Sequence, residues 1–272
     1  MKLAEQVAIV TGAAKPEGIG HAVALGLARE GADVVVADLY EPGFAGVSEA
    51  IERYGRRCLC VHTDVRDQPD VQRMVDAAMT RLGRVDVLVN AVGGSYAITE
   101  EGLDEGPPDR FVGLANCTPE EWRTIVGVNL DGTFHACRAV APLLQRQRSG
   151  RIVNFSSMAA RRGVAPGSEG SSGPYAVAKA GVIGLTKQLA LELGPSGVTV
   201  NCVAPGVILS GRGQRTLSHL SEEARSRLQG AIPMGRFGTT QEVAALVVAL
   251  CTAEMSYVTG VTIDVNGGSY SA

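Results

Sequence analysis

The feature that most constrains the fold of this chain is a regular alternation of short β-branched runs with longer helical stretches. Seven such runs lie at 7–10, 33–37, 57–62, 85–89, 151–155, 199–203 and 261–265. One of them, Val34-Val35-Val36-Ala37, is apolar at every position, as expected of a strand covered on both faces in a parallel sheet. Because the alternation continues along the whole chain, it predicts an α/β fold with a doubly wound parallel sheet of about seven strands and helices on both faces.

The helical stretches carry start and stop signals. Thr118 precedes Pro119, and Glu121 follows three positions after Thr118, which predicts a capping box with proline at the first helical position. Glycines just past a helical stretch predict left-handed helix ends, and these are Gly31, Gly55, Gly83 and Gly194. Helices are expected at about 20–30, 44–54, 69–82, 119–146, 175–193 and 240–251.

The length of 272 residues suits a single domain, 1–272. Three stretches interrupt the alternation, at about 93–117, 161–173 and 207–230, and each follows a strand. Ligands of doubly wound sheets bind outside the carboxyl ends of the strands. We therefore expect these three insertions to wall or cover a pocket.

Composition disfavours several classes of function. The net charge of −3 lacks the basic surplus of nucleic-acid-binding domains. The six cysteines form no C-x-x-C pair, which argues against a metal site, and free thiols suit a reducing compartment. No signal-peptide pattern precedes the first strand, and no apolar run approaches the ~20 residues of a membrane span. We expect a cytoplasmic protein with neither a nucleic-acid nor a membrane partner.

A glycine-rich segment, Thr11–Gly20, joins the first strand to the first helix. Glycines at Gly12, Gly18 and Gly20 would let the backbone turn tightly and approach a pyrophosphate, and the helix beginning near Ile19 would offer free N–H groups. Because the segment lies between a strand and a helix, it predicts Rossmann-like dinucleotide binding.

The second strand ends at Asp38. A carboxylate at this place accepts hydrogen bonds from the adenosine ribose hydroxyls and repels a 2′-phosphate, which favours NAD over NADP. Lys15 is the counter-argument, since its ammonium would attract that phosphate. The expected cofactor is NAD, with NADP the less favoured alternative.

Tyr175 and Lys179 lie four positions apart at the start of a helical stretch, so they share one helix face. Hydride transfer to a carbonyl needs a proton delivered to the oxygen, and the reverse reaction needs one removed. A free phenol, with a pKa of about 10, is a poor base at neutral pH. A nearby ammonium stabilises the phenolate by several kcal/mol at an effective dielectric of ~20, so the pair suits acid/base catalysis.

Three further polar residues are candidates. Ser156 and Ser157 end the fifth strand, where a hydroxyl can hydrogen-bond a substrate oxygen or simply cap a turn. Asn129 lies inside a helical stretch, where it either bonds a local carbonyl or holds a water molecule; composition alone favours the structural role.

Together these residues resemble the short-chain dehydrogenase/reductase family in its shorter single-domain form, like that of 3-oxoacyl-acyl-carrier-protein reductases. The likeness covers nearly the whole chain. Its motifs are Thr11–Gly20, Asp64-Val65, Asn90–Gly93, Asn129, Ser157, Tyr-Ala-Val-Ala-Lys at 175–179, Asn201–Gly206 and Thr262–Gly268.

The resemblance implies a role for each matching residue. Tyr175 is the acid/base, Lys179 holds the nicotinamide ribose and tunes Tyr175, Ser157 steadies the substrate oxygen, and Asn129 supports a water in the proton relay. The remaining implied cofactor contacts are Asp64 and Val65 at the adenine, Asn90 and Gly93 along the cofactor, and Pro205, Gly206 and Ile208 on the nicotinamide side.

The chain departs from the family pattern at four places. Five residues, rather than three, separate Gly12 from Gly18. The usual Asn-Asn-Ala-Gly reads Asn90-Ala91-Val92-Gly93, and a serine, Ser210, stands where a threonine is usual after Pro-Gly. The spacing from Ser157 to Tyr175 is longer than usual, which leaves the choice between Ser156 and Ser157 open; Ser157 matches the family position.

The favoured function is an NAD-dependent oxidoreductase acting on a secondary alcohol or ketone. The alternatives are a non-catalytic dinucleotide sensor, which would typically lack the tyrosine or the lysine, and an enoyl reductase, whose tyrosine and lysine lie further apart. The resemblance implies a homotetramer, while small residues on the Tyr175 helix fit either a subunit interface or packing on the sheet. Four arginines in the insertions either bind a carboxylate or phosphate or face water, namely Arg161, Arg162, Arg212 and Arg215.

Overall fold

The computed structural model describes residues 1–95, 112–165 and 172–271, together with the backbone of a two-stranded hairpin at 98–99 and 102–103. Seven parallel strands form the central sheet, as predicted. In chain order they are β1 Val7–Thr11, β2 Asp33–Asp38, β3 Cys58–His62, β4 Val87–Asn90, β7 Gly150–Phe155, β8 Val198–Pro205 and β9 Thr262–Val265. The hairpin strands are β5 Ile98–Thr99 and β6 Gly102–Leu103, which pair antiparallel.

The sheet has the strand order β3-β2-β1-β4-β7-β8-β9. The chain therefore adds strands outward from β1 in one direction and then returns to add β4 on its other side. Loops that follow β1 and β4 leave in opposite directions, which opens a crevice at their carboxyl ends. The crevice between β1 and β4, where the strand order reverses, is therefore the expected place for a ligand to bind.

Helices cover both faces of the sheet. They are α1 Ile19–Arg29, α2 Phe44–Glu52, α3 Gln68–Leu82, α4 Pro119–Val126, α5 Gly132–Gln147, α6 Met158–Arg162, α7 Gly173–Leu193, α8 Gly211–Ser218, α9 Glu222–Gly230 and α10 Thr240–Leu250. Alternate residues of one strand face opposite helical layers. Val34 and Val36 pack with α1, α2 and α10, whereas Val35 packs with α3, α5 and α7. This arrangement explains why the second strand is apolar throughout.

The capping box predicted at Thr118 is present. The Thr118 hydroxyl accepts from the Glu121 N–H at 3.1 Å, and the Glu121 carboxylate accepts from the Thr118 N–H at 2.7 Å. Gly83 ends α3 with a φ of 85°, as expected. The prediction for Gly194 is wrong, because its φ is −53° and the chain continues through a 3₁₀ turn to Gly197, whose φ is 72°.

One element prediction needs correction, and one stretch that carried no element prediction is helical. The helix expected at 119–146 is interrupted by a π-helical turn, Gly127–Asp131, between α4 and α5. The stretch 207–230, predicted only as an insertion that would wall or cover a pocket, contains α8 and α9. These helices are short, carry few apolar residues and pack on a small separate cluster around Leu217, Ile232 and Phe237. Within the described ranges, no helix combines the length and apolar character needed to cross a membrane.

Of the other two insertions, 93–117 and 161–173, the portions at 96–111 and 166–171 lie outside the fully described residues. The described part of 161–173 includes the end of α6, and Ser172 caps α7. The described beginnings of both insertions lie at the carboxyl-end edge of the sheet, because Ser95 follows β4 and Ala165 follows β7.

Candidate active site

A cleft of about 1320 Å³ lies outside the carboxyl ends of the strands, at the point where the strand order reverses. Its walls come from the loops after β1, β2, β3, β4, β7 and β8, together with α8 and α9. It brings together most of the residues selected from the sequence, which are Gly12, Gly18, Ile19, Gly20, Asp38, Asp64, Val65, Gly93, Ser157, Tyr175, Lys179, Pro205, Gly206 and Ile208.

The glycine loop is shaped by close backbone contacts. Gly12 has a φ of +70°, and a Cβ there would lie 2.9 Å from the Val92 nitrogen. A Cβ on Gly20 would overlap the Gly12 carbonyl oxygen, and one on Gly18 would lie 3.0 Å from the Lys15 oxygen. These contacts fold the loop tightly against the start of α1, whose first residues line the cleft, and a helix N-terminus at a cleft attracts phosphate. The residues present thus fit a phosphate-bearing dinucleotide.

Asp38 is held at the rim of the cleft by two backbone hydrogen bonds. Its Oδ2 accepts from the Ala14 N–H at 3.0 Å, and its Oδ1 accepts from the Tyr40 N–H at 3.1 Å. The Lys15 ammonium lies 4.9 Å from the Tyr40 ring centroid. Burial, with help from Arg215, lowers the pKa of Lys15 against the opposing effect of Asp38. One carboxylate and two cations therefore meet at this end of the cleft.

Asp64 and Asn90 lie at different depths. Asp64 lines the cleft and accepts from the Arg66 guanidinium at 2.6 Å. Burial alone would raise the pKa of Asp64, but the hydrogen bonds from Arg66 outweigh it and leave this pKa below its usual value. The Asn90 side chain does not line the cleft. It is buried within the sheet, where its Nδ2 donates to Asn154 Oδ1 at 2.8 Å.

Tyr175 and Lys179 lie on the first turns of α7, and both reach the cleft. The Ser172 hydroxyl caps this helix by accepting from the Tyr175 N–H at 3.3 Å. Lys179 is 3% exposed, its Nζ donates to the Phe155 carbonyl at 2.9 Å, and it lies 5.8 Å from the Tyr175 ring centroid. Burial lowers the pKa of Lys179 to about 8.

The two serines after β7 have separate hydrogen-bond partners. Ser156 is buried, and its hydroxyl donates to the Lys179 carbonyl at 2.8 Å, which ties β7 to α7. Ser157 is half-buried at the cleft wall and caps α6 by accepting from the Ala159 N–H at 3.1 Å. As an acceptor there, the Ser157 hydroxyl keeps its own proton to donate to a ligand.

Asn129 lies in the π-helical turn behind the cleft wall. It is fully buried, its Oδ1 accepts from the Gly94 N–H at 3.1 Å, and its Nδ2 donates to the carbonyls of Gly94 and Ile125. A Cβ on Gly93 would lie 2.7 Å from Asn129 Oδ1 and 2.9 Å from Lys179 Nζ. Asn129 thus holds the loop after β4 close to the lysine.

The sequence prediction did not assign the helix that covers the cleft. The first N–H of α8, on Gly211, donates to the Glu17 carbonyl of the glycine loop at 3.0 Å. Arg212 of α8 lies with its guanidinium carbon 5.8 Å from the Tyr175 ring centroid and donates to the Ser95 hydroxyl. The sequence signal that could have indicated the start of α8 is Ser210, because serine is a preferred helix N-cap. Its hydroxyl caps α8 by accepting from the Gly213 N–H.

The arginines singled out from the sequence divide into two groups. Arg162, Arg212 and Arg215 line the cleft. Arg161 instead pairs with Asp264 of β9 at 2.9 Å and stacks near Tyr270, so it joins α6 to the last strand. Only the first group is placed to meet a ligand.

Comparison with known proteins agrees with this geometry. A family model described as enoyl-(acyl carrier protein) reductase matches residues 12–270. A 3-oxoacyl-(acyl-carrier-protein) reductase of Staphylococcus aureus is 38% identical over 97% of each chain. The chain belongs to the short-chain dehydrogenase/reductase family. The resemblance inferred from the motifs is therefore confirmed.

Solved structures resemble this short-chain dehydrogenase/reductase over almost its full length. A 3-oxoacyl-(acyl-carrier-protein) reductase from Brucella melitensis is 33% identical, with a TM-score of 0.86 over 100% of this chain and 93% of the other. A xylitol dehydrogenase solved with NAD⁺ bound is 27% identical, with a TM-score of 0.85 over 98% of this chain and 100% of the other. The doubly wound fold is confirmed, and the protein is an oxidoreductase of a family that uses a nicotinamide dinucleotide.

Proposed function

We propose that this protein interconverts a ketone and a secondary alcohol, with NAD(H) as the hydride carrier and Tyr175 as the acid/base. This proposal rests on the presence of Tyr175, Lys179 and Ser157 in the lining of the same cleft as the glycine loop, with Lys179 5.8 Å from the Tyr175 ring. These groups supply a proton donor, a cation and a hydroxyl at one place, which is what carbonyl reduction requires of a protein.

Each side chain has a defined task in the proposed reaction. Tyr175 gives its phenolic proton to the carbonyl oxygen during reduction and takes it back during oxidation. Ser157 donates a hydrogen bond to the same oxygen. Lys179, with a pKa of about 8, is mostly an ammonium at neutral pH and stabilises the phenolate across the 5.8 Å to the ring. The bound nicotinamide supplies or accepts the hydride.

The other cleft residues are proposed to hold the cofactor. The glycine loop takes the diphosphate at the start of α1, and Asp38 takes the adenosine ribose. Asp64 and Val65 face the adenine, and Gly93 leaves space beside Lys179. Pro205, Gly206 and Ile208 lie on the nicotinamide side. Asn129 and Asn90 act behind the cleft by holding its walls, and Asn129 supports a water in the proton relay.

Carbonyl reduction is favoured here over enoyl reduction, although the matching family model carries the latter description. Tyr175 and Lys179 lie one helical turn apart, so their side chains converge on a single point. The curated relative from Staphylococcus aureus is named a 3-oxoacyl reductase, which acts on a ketone carbon. Both observations support a ketone as the oxidised substrate.

The direct test is NADH consumption with a panel of aliphatic, cyclic and 3-oxo ketones, paired with NAD⁺ and the matching alcohols. We expect turnover with a subset of the ketones and with the alcohols derived from that subset. NADH binding without turnover of any panel member would favour the sensor alternative, and turnover of enoyl thioesters alone would favour the enoyl reductase.

The preference for NAD is proposed from Asp38, whose fixed carboxylate would repel a 2′-phosphate. We expect the ratio of kcat/KM for NADH over NADPH to fall at least about tenfold in Asp38→Asn, equivalent to ~1.4 kcal/mol. Asparagine keeps an oxygen acceptor for one of the two backbone N–H groups, so the loop retains most of its support. Asp67→Asn, at the start of α3, is the matched control and should leave the ratio unchanged.

If the wild type prefers NADPH, or if Asp38→Asn leaves the ratio unchanged, the argument from Asp38 fails. In that case the two cations at this end of the cleft, Lys15 and Arg215, outweigh the carboxylate. The Lys15→Met variant would then lose NADPH activity selectively.

The assembly and location are also proposals. Large apolar side chains are exposed on neighbouring helices α4, α5 and α7, namely Trp122, Phe134, Val177 and Leu191. Exposed apolar groups on adjacent helices support self-association, and the family resemblance makes a homotetramer the expected state. All six cysteines are free thiols, which supports a reducing, cytoplasmic location.

A further inference from the structure

Two cysteines lie side by side on the edge strand of the sheet, away from the proposed catalytic groups. Cys58 and Cys60 are two residues apart on β3, so both side chains point to the same face, and their sulfur atoms lie 3.9 Å apart. Both are partly exposed, whereas Cys137, Cys202 and Cys251 are buried. Water and small reagents can therefore reach this pair more readily than those three thiols.

The two thiols are chemically unequal. The hydrogen-bonding contact with Cys60 lowers the pKa of Cys58, against the opposing effect of burial, and Ser48 adds a second hydrogen bond. The pKa of Cys60 is raised by the same pairing and by burial. The neighbouring Glu52 carboxylate opposes ionisation of both thiols without reversing this order. The Phe44 carbonyl accepts from the Cys60 thiol at 3.6 Å, so Cys58 is the thiol of the pair that ionises more readily, which suits attack by Cys58 followed by resolution by Cys60.

We propose that Cys58 and Cys60 form a peroxide-sensitive pair, and that their oxidation to a disulfide weakens dinucleotide binding. The Cys58 thiolate attacks one oxygen of a peroxide, which yields a sulfenic acid and releases hydroxide. Cys60 then attacks the Cys58 sulfur, forms the S–S bond and releases water, with its thiol proton going to the departing oxygen. Two thiols are oxidised and one peroxide is reduced, so the step is balanced.

The disulfide would disturb the strand that carries it. The sulfur atoms must close from 3.9 Å to about 2.05 Å. Residues two apart on a strand have Cα atoms about 6.6 Å apart, near the upper end of the usual disulfide range. Closing the bond also removes the Cys60 thiol proton, which is within reach of the Phe44 carbonyl at 3.6 Å. Strand β3 must therefore bend, and its contact with the start of α2 must change.

These movements would reach the adenosine end of the cleft. Strand β3 ends at His62, opposite Asp38 of β2, and the next residues, Thr63 to Arg66, line the cleft. Helix α2 follows Tyr40, which lines the cleft and donates its N–H to Asp38. Both ends of the disturbed region thus contact the place where the proposed function seats the adenosine, and this coupling to nucleotide affinity rests on that proposal.

The test is made on the whole protein with hydrogen peroxide, without an activity assay. Intact mass should fall by two hydrogens, and peptide mapping should find Cys58 linked to Cys60. The Kd for NADH, measured by fluorescence, should rise at least about fivefold after oxidation and return after reduction with dithiothreitol. Cys117→Ser is the matched control, since Cys117 is partly buried but has no neighbouring thiol among the described residues, and it should behave as the wild type does.

Two variants separate the steps. Cys60→Ser should stop at the sulfenic acid of Cys58, which a dimedone probe labels, while Cys58→Ser should neither gain that label nor form the bond. An unchanged wild-type mass, loss of two hydrogens in either variant (a disulfide to another cysteine), or a Cys58–Cys60 disulfide that leaves the Kd for NADH unchanged would each overturn the proposal. If NADH does not bind even the reduced protein, it is the proposed function that fails, while the mass measurement still tests the thiols.

Discussion

Tyr175→Phe should lower kcat for ketone reduction by about 10²–10⁴-fold, the usual contribution of a positioned general acid. The change removes only the hydroxyl, and the ring keeps its place between Lys179 and Arg212, each 5.8 Å from the ring centroid. We therefore expect the Kd for NADH to change by less than about twofold. Initial rates of NADH oxidation and an equilibrium binding titration measure both quantities on the same samples.

The matched control for this variant is Tyr257→Phe, because Tyr257 is fully exposed and is not among the residues that line the cleft. It should retain wild-type kcat. If Tyr175→Phe also turned over at the wild-type rate, the assignment of Tyr175 as acid/base would be wrong. If it lost NADH binding as well, the loss of rate would report damage to the site rather than loss of a proton donor.

Lys179→Met should abolish most activity and at the same time make the protein more stable at neutral pH. Burial of Lys179 lowers its pKa from 10.5 to about 8, which corresponds to roughly 3 kcal/mol of unfavourable free energy for keeping the charge inside. Methionine has a similar length and no charge. The substitution also leaves the buried Phe155 carbonyl without this donor, which costs about 1–3 kcal/mol. We expect the free energy of unfolding to rise by up to about 2 kcal/mol.

The stability difference between Lys179→Met and the wild type depends on pH. Below the folded pKa of about 8, the lysine is charged in both the folded and unfolded states, and the folded state bears the full penalty. Between about 8 and 10.5 the unfolded chain holds the proton and the folded chain does not, so wild-type stability rises with pH. The advantage of Lys179→Met should therefore shrink as pH rises through this window.

Urea unfolding at neutral pH and near pH 10 measures this difference. Lys187→Met is the control, because Lys187 lies on the same helix but is exposed, and its replacement should change stability by less than about 0.5 kcal/mol at either pH. A Lys179→Met protein less stable than the wild type at neutral pH would show that the ammonium is compensated by contacts beyond the Phe155 carbonyl.

The strands and the cleft could be read from the sequence because local signals agree with the global fold. The run at Val34 alternates between two helical layers, so its lack of polar residues was itself the signal of a buried parallel strand. The residues of the cleft follow strand ends, and strand ends of a parallel sheet converge at one edge. Position along the chain was therefore enough to gather Gly12, Asp38 and Ser157, whereas Tyr175 was found from its helical spacing to Lys179.

The remaining features depend on contacts between distant parts of the chain. The break in the helix at Asn129 follows from bonds to Gly94, which lies 35 residues earlier. Helix α8 docks on the glycine loop through the hydrogen bond from Gly211 to the Glu17 carbonyl, a contact between distant parts of the chain. Asn90 was expected at the cofactor, but its amide turns into the sheet to meet Asn154 of β7. Propensity and periodicity describe neighbours in sequence, so they carry no information on these partners.

The chain of buried amides and hydroxyls beneath the site has a consequence for how such an enzyme could change its substrate. Asn90 bonds Asn154, Asn154 bonds Thr186 of α7, and Ser156 bonds the Lys179 carbonyl, so buried polar groups cross-link the strands and α7 beneath the proposed catalytic residues. A replacement there would leave a buried partner unsatisfied, at about 1–3 kcal/mol each. Helices α8 and α9 over the cleft are less deeply buried, since Leu217 is the buried residue of α8 and α9 has none. Selection for a new substrate would therefore change residues of α8 and α9 more readily than the buried polar residues beneath the site.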